Sequence, residues 1–294
     1  DPGNTGAATG DDSCGSVVTI SFSDSFVEDC SPVTGTLTRT WMATNACGLS
    51  TSCDQIITII DETAPVFDLG CQETLTFTTE GGDLCPADAT ISLSEGDEFT
   101  VNDGWTVGGN AIAPLIGCVS DDCTADDALT ITVDDITIVD DGTCSRTITL
   151  TLLADDGCGN VSEPFVSTYT FIDDTAPVFD LACQIDVVFT TEDGNVCPAD
   201  ATISLNEGDV ITVNDSWTVG GVPILPLSGC VDDNCTADDD LNITVDDITV
   251  VDDGTCSRTI TVTFLADDGC DNVSEPFVCN YTFIDNTGPE VSFN

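Results

Sequence analysis

Apolar and polar residues alternate with a period of two along much of the chain, as at 18–22, 131–133, 136–138 and 148–152, and a β-branched run fills 56–60. Val, Ile, Leu or Phe takes one face and Thr or Ser the other, which makes a strand with one buried side. Gly, Asp, Asn and Pro interrupt the alternation at short intervals and supply the turns. No segment carries a convincing helical period. The pattern predicts an all-β chain of short antiparallel strands packed as sandwiches, with an extra strand pair inserted in the longer modules.

The pattern repeats. Residues 63–174 align without a gap on residues 175–286, a period of 112 with about three quarters of the positions identical. Both copies open on Thr-Ala-Pro-Val-Phe-Asp, and a degraded form, Thr-Gly-Pro-Glu-Val, starts at Thr287. Each opening follows an acidic or amide pair, Asp61-Glu62, Asp173-Asp174 and Asp285-Asn286, and these pairs mark the joints. Residues 1–62 are a shorter relative that lacks the Pro-Val-Phe opening. The chain therefore divides into an incomplete module at 1–62, long repeats at 63–174 and 175–286, and an opening strand at 287–294, arranged in line.

Arg39-Thr-Trp-Met-Ala-Thr-Asn-Ala-Cys47-Gly48 followed by Ile56-Ile-Thr-Ile-Ile-Asp-Glu-Thr-Ala-Pro65 resembles the hyalin-repeat-like (HYR-like) modules of large surface proteins of Bacteroidota and related bacteria. Asp155-Asp-Gly-Cys-Gly-Asn160 with Asp173-Asp-Thr-Ala-Pro177 repeats the signature in the long modules, whose middles exceed the family pattern. The resemblance implies immunoglobulin-like sandwiches in an extracellular adhesin, stalk or filament, and no enzymatic activity.

Charge narrows the function further. There are 54 Asp and Glu against three cations, Arg39, Arg146 and Arg258, with no Lys or His, for a net charge of -51. Phosphate-directed binding of nucleic acid needs clustered cations, so nucleic acid and anionic membranes are excluded as partners. Without His or Lys the usual general bases and amine nucleophiles are missing, and an enzyme is not expected. A glycosidase built on paired carboxylates is the remaining catalytic reading. With 41% hydrophobic residues the chain is folded and not an acidic tail. No run of 18 apolar residues occurs, so no membrane-inserted helix is expected. The start at Asp1, with neither a signal peptide nor an initiator Met, suits a processed or excerpted secreted protein.

The carboxylates cluster at Asp61-Glu62, Asp121-Asp122, Asp126-Asp127, Asp134-Asp135, Asp140-Asp141, Asp155-Asp156 and Asp173-Asp174, then at Asp232-Asp233, Asp238-Asp239, Asp246-Asp247, Asp252-Asp253, Asp267-Asp268 and Asp285. Most fall where the alternation breaks, which places them in loops. Adjacent carboxylates repel by about 1 kcal/mol even in water, and a hard cation with oxygen ligands reverses that term. Several calcium ions per chain are expected, against the alternative of a solvated acidic coat. The EF-hand spacing is absent. The best candidate joins the loop carrying Asp155, Asp156 and Asn160 to the joint at Asp173-Asp174, with its copy at Asp267, Asp268, Asn272 and Asp285. Each Arg sits on a strand, where a structural ion pair is expected before a ligand clamp.

Seventeen cysteines without a CxxC pair point to disulfides in an oxidising, extracellular or cell-surface compartment. Six per long repeat (Cys71, Cys85, Cys118, Cys123, Cys144, Cys158; Cys183, Cys197, Cys230, Cys235, Cys256, Cys270) suggest three internal bridges each, with 15 connectivities open. Cys118 and Cys123 are near enough for a loop bridge; Cys144 and Cys158 flank one extended strand and cannot pair. The short module adds Cys14, Cys30, Cys47 and Cys53, and Cys279 is the odd thiol. Glycosylation candidates are Asn160, Asn214, Asn234, Asn242, Asn272 and Asn280, with Thr175 resembling a bacterial O-glycosylation motif. Trp105 and Trp217 either stack on surface glycans or belong to the core. Finally, 287–294 carries an opening strand, with Pro289, Val291 and Phe293 as contacts, while 1–62 lacks one. Donating that strand to the next copy would give a head-to-tail homopolymer, a calcium-stabilised filament. The alternative is an excerpt of a long adhesin stalk with carbohydrate- or protein-binding modules.

Overall fold

The computed structural model describes residues 2–254 and 256–292. After a four-residue helix, α1 (Pro2–Thr5), come β1 (Thr19–Glu28), β2 (Gly35–Thr44) and β3 (Ser50–Ile59), one antiparallel meander. The register sets Phe22 opposite Trp41 and Asp24 opposite Arg39. Arg39 is 2% exposed: its guanidinium donates two 2.7 Å bonds to Asp24, lies 4.5 Å over the Phe22 ring and donates to the Thr5 hydroxyl. Phe22, Phe26 and Ile59 stay partly exposed, because among the described residues 2–62 supply one sheet and no second sheet.

The long repeats supply both layers. The first contains β4 (Val66–Phe67), β5 (Thr74–Thr78), β6 (Glu98–Phe99), β7 (Trp105–Val107), β8 (Asn110–Ile112), β9 (Val119–Ser120), β10 (Thr130–Asp141), β11 (Ser145–Asp155) and β12 (Phe165–Ile172). The second contains β13 (Val178–Phe179), β14 (Asp186–Thr190), β15 (Val210–Ile211), β16 (Trp217–Val219), β17 (Val222–Ile224), β18 (Val231–Asp232), β19 (Asn242–Asp253), β20 (Ser257–Asp267) and β21 (Phe277–Ile284). Each forms a five-stranded sheet, β5-β12-β11-β10-β6 or β14-β21-β20-β19-β15, and two ribbons, β4-β9 with β7-β8 or β13-β18 with β16-β17. In the second repeat β14 runs parallel to β21 and the other pairs of the large sheet are antiparallel. Alternate residues of β19, β20 and β21 (Ile243, Val245, Ile260, Val262, Phe264, Tyr281, Phe283) point inward and meet Phe179, Trp217, Val219 and Val231 from the ribbons and Leu227 from the loop between β17 and β18. Trp105 and Trp217 are 5% and 3% exposed, so they are core residues and present no surface for stacking on sugar.

The aspartate pairs of the long strands depart from the expected loop position. Asp134-Asp135 and Asp140-Asp141 lie on β10, Asp246-Asp247 and Asp252-Asp253 on β19, all exposed. On β19 a β-bulge between Val245 and Asp247 breaks the alternation without ending the strand, which is why Asp246-Asp247 reads as a loop. Asp140 and Asp252 each take a forked pair of bonds from Arg146 and Arg258, whose guanidinium groups also donate to backbone oxygens, Ala87 and Ala89 for Arg146 and Ala201 for Arg258.

The covalent frame also differs from three internal bridges per repeat. Cys71–Cys118 and Cys183–Cys230 close within their repeats. Cys30–Cys158, Cys85–Cys235 and Cys144–Cys270 join each module to the next in sequence. Cys118 therefore bonds to Cys71 and not to Cys123. Cys14, Cys47, Cys53, Cys123, Cys197, Cys256 and Cys279 are free. By contact the chain forms two compact units, Asp1–Thr74 with Thr90–Thr137 and Ile148–Tyr169, and Leu75–Ala89 with Ile138–Thr147 and Thr170–Asn294. The second contains Cys85 and Cys144 of the first repeat together with their disulfide partners, Cys235 and Cys270.

Candidate metal centre at the joints

Each joint is built from three loops that the sandwich strands deliver to one place. At the joint before the second repeat, Asp173 directly follows β12, the turn after β18 carries Asp233, and the loop after β20 carries Asp268 and Asn272. Asp268 Oδ1 accepts from the backbone N–H of Cys270 at 2.7 Å and of Asn272 at 3.3 Å, and its Oδ2 accepts from Asn272 Nδ2 at 2.8 Å. Asn272 Nδ2 also donates to the Asp173 carbonyl at 3.1 Å, which clamps the loop to the joint. Asp233 Oδ2 accepts from the N–H groups of Cys235 and Thr236, and Asp173 Oδ1 from the Thr79 hydroxyl and Thr175 N–H.

One oxygen on each of two of these carboxylates is left over. Asp173 Oδ2 and Asp233 Oδ1 are buried with no hydrogen-bond partner, and Asp173 and Asp268 are only 2% and 4% exposed. Burial, and next to it the charges of Asp233 and Asp268, push the Asp173 carboxyl above its ordinary value. Three clustered carboxylates, two of them with a buried oxygen that no donor satisfies, are an unfavourable arrangement that a cation would relieve.

The joint before the first repeat repeats the constellation with Asp61, Asp121, Asp156 and Asn160. Asp156 Oδ1 accepts from Cys158 N and Asn160 N, its Oδ2 from Asn160 Nδ2, and Asn160 Nδ2 reaches the Asp61 carbonyl at 3.3 Å. Asp61 Oδ2 and Asp121 Oδ2 are the buried oxygens without partners. Hydrogen bonds from the Thr63 backbone and hydroxyl hold the Asp61 carboxyl below its ordinary value. The Cys123 thiol is pushed up by burial and by the charges of Asp61, Asp121 and Asp122, which keeps it protonated.

Ligand atoms of Asp61, Asp156 and Cys158, and of Asp173, Asp268 and Cys270, lie within 4.8 Å of one another. Both sulfurs are in disulfides, so the donors for a cation are carboxylate, amide and backbone oxygens. An all-oxygen, flexible donor set suits calcium better than zinc or copper.

The two loops thus join the preceding joint and not the following one: the 155–160 loop meets Asp61 rather than Asp173-Asp174, and the 267–272 loop meets Asp173 rather than Asp285. Asp174 turns to Glu80 N and the Thr79 hydroxyl, and Asp285 is exposed with Thr191 and Thr287 as its partners. Asp155 and Asp267 cap the N–H groups of Gly157 and Gly269. Glu62, Asp122, Asp126, Asp127, Asp232 and Asp239 are exposed, and Asp238 is half-buried. Asn160 and Asn272 each use both amide hydrogens inside a joint, which a glycan on Nδ2 would prevent. Asn214, Asn234 and Asn242 are exposed, while Asn280 Nδ2 donates to Asp186 and Thr175 sits against Thr79. Val291 is 80% exposed, and Phe293 lies outside the described residues. No helix among the described residues is long and apolar enough to cross a membrane.

No family model and no curated protein matches the chain, so the hyalin-repeat resemblance rests on the residues quoted above. Among solved structures the chain is similar to protocadherin gammaB7 EC3-6 in a cis-dimer structure, at 10% identity and TM-score 0.27, over 91% of this chain and 68% of that one. Drosophila N-cadherin EC1-3 gives 11% identity and TM-score 0.26, over 92% and 89%. Similarity at this level carries no argument, and the fold and the joints stand on the geometry of the chain itself.

Proposed function

We propose that this chain is a non-enzymatic structural protein of the cell exterior, a calcium-stabilised series of β-modules that assembles head to tail into a filament. One observation carries the reading: the same joint, a cross-repeat disulfide beside a buried aspartate cluster clamped by an asparagine, recurs at both module boundaries. Repetition of one cross-linked joint is what a load-bearing rod requires. The disulfides fit an oxidising compartment. Calcium held by Asp61, Asp121 and Asp156, and by Asp173, Asp233 and Asp268, would supply the positive charge those pockets lack.

A sequence correspondence supports strand donation. Val66 pairs with Ser120 and Phe67 with Val119 within the first repeat, just ahead of Asp121-Asp122. With Cys14 set on Cys123, Gly10-Asp11, just ahead of Asp12, holds the matching position in the short module, and Glu290-Val291 matches Val66-Phe67. The test is differential scanning calorimetry with electron microscopy on the same sample. A chelator at constant ionic strength is expected to lower the melting temperature by many degrees, and calcium to give filaments of regular axial repeat. An unchanged melt rejects the calcium sites; single stalks in calcium reject the filament in favour of an adhesin stalk.

A further inference from the structure

Three cross-repeat disulfides obey a positional rule. Cys30 and Cys144 stand in the turns after β1 and β10, the first strands of their meanders, and they bond to Cys158 and Cys270, which stand in the loops after β11 and β20, the second strands of the following meanders. Cys85 of the first repeat bonds to Cys235, seven residues before β19 in the second. Each bond thus runs from a donor position in one module to an acceptor position in the next, with Cα atoms 5.0 to 5.3 Å apart.

Shifting the donors by the 112-residue period gives Cys197 from Cys85 and Cys256 from Cys144, and both are free and exposed. The acceptor positions of the short module are also free and exposed. Cys47 follows β2 as Cys158 follows β11, and its N–H is held at 3.0 Å by Asn45 Oδ1 as the Cys158 N–H is held at 2.7 Å by Asp156 Oδ1. Cys14 precedes β1 and stands two residues after Asp12, as Cys123 stands two residues after Asp121. The three other free thiols fall outside the rule. Cys279 is buried, Cys53 lies within β3, and Cys123 would need a donor equivalent to Cys85, which the short module does not contain.

We infer that Cys197 and Cys256 of one copy form disulfides with Cys14 and Cys47 of the next, so that the copies are joined by two covalent bonds that reproduce the internal joint. This deepens the head-to-tail reading above and rests on it. The joint is heterologous, so it propagates instead of closing as a dimer. Each bond forms by exchange with an oxidised small-molecule disulfide: two cysteine thiols and one RSSR give one Cys–S–S–Cys and two RSH, the two electrons passing to the carrier. Asp285 is then the joint carboxylate facing Asn45 and Asp12, so the new joint has one carboxylate fewer than the internal ones, Asn45 standing where they have Asp156 and Asp268. Because each copy carries a net charge of -51, approach requires screening, and the reaction is run in calcium.

The test uses the full chain with glutathione as the disulfide carrier, read by non-reducing electrophoresis and by mass spectrometry of cross-linked peptides. The expected result is a ladder in steps of 30.6 kDa that collapses with reductant, with Cys14–Cys197 and Cys47–Cys256 peptides between copies of different isotope label. A variant with Cys197→Ser and Cys256→Ser, or one with Cys14→Ser and Cys47→Ser, should stay monomeric alone, and the two mixed should stop at a dimer. A ladder in either variant alone, a ladder joined through Cys53, or thiols that stay monomeric and alkylatable overturns the proposal. Filaments that form while all four thiols remain reduced overturn it and leave the head-to-tail reading standing. Loss of both filaments and ladder overturns both.

Discussion

Asp173 shows why a carboxylate can be a poor residue in one state and a necessary one in another. Its side chain is buried, has one oxygen without a partner and sits beside Asp233 and Asp268. In calcium-free solution Asp173→Asn removes a desolvated, repelled charge and is expected to raise stability by about 1 kcal/mol. In calcium the same substitution removes a ligand, and the calcium-dependent rise in melting temperature should shrink sharply. Calorimetry of the two proteins with and without calcium checks both signs, and the same sign in both conditions would show that Asp173 holds no cation. Sequence alone marked Asp173 as a joint residue but paired it with the wrong loop. The Asp-Asp-Gly-Cys motif precedes one joint in the chain and follows another, and adjacency in sequence favours the wrong one. The hydrogen bond that the Asn272 side-chain amide donates to the Asp173 carbonyl, and the approach of Asp268 to Asp173, decide between them.

The strands were legible because one face is buried, and the same burial gives two predictions for single elements. The chain has two tyrosines, Tyr169 on β12 and Tyr281 on β21, both fully buried. Burial pushes the Tyr169 phenol up to about 12 and moves Tyr281 in the same direction. Since the folded values exceed the unfolded value of about 10, this stabilisation is complete below pH 10 and is lost as pH rises through the folded range. Spectrophotometric titration should show no phenolate in the folded protein near pH 10 and a cooperative rise on alkaline unfolding. A smooth titration at the ordinary value would place the tyrosines in solvent. Gly220 is the second case. Its φ is +59°, and an added Cβ would run into the Phe283 ring of β21. Gly220→Ala should therefore cost more than about 1 kcal/mol through both strain and displacement of a core ring, measured by denaturant unfolding against Gly221→Ala, where φ is +76° and the added Cβ meets open space. Pattern reading puts Asp246-Asp247 in a loop because the bulge there disturbs the period of two as a turn does, while the ladder continues.

At the scale of the whole chain, the repeat that made the modules visible concealed how they are joined. A near-identical copy offers every cysteine two equivalent partners, one in its own repeat and one in its neighbour, and the spacing within a repeat is silent on which lies closer in space. The charge has the same ambiguity: 54 carboxylates against three arginines describe equally well a solvated coat and a set of cation sites. The two differ in ion specificity. A coat responds to ionic strength alone, because any salt screens exposed charges over roughly 8 to 10 Å at physiological concentrations. Joint sites respond to an oxygen-seeking divalent cation at unchanged ionic strength, and they saturate. Sodium chloride added in the presence of chelator should therefore raise the melting temperature gradually, and calcium at constant ionic strength should add a further, saturable rise. In a protein carrying Asp61→Asn and Asp173→Asn together, the sodium response should persist while most of the calcium response disappears. If sodium chloride at matched ionic strength reproduces the whole effect of calcium, the aspartates at the joints act as part of the coat, and the disulfides alone hold successive modules in register.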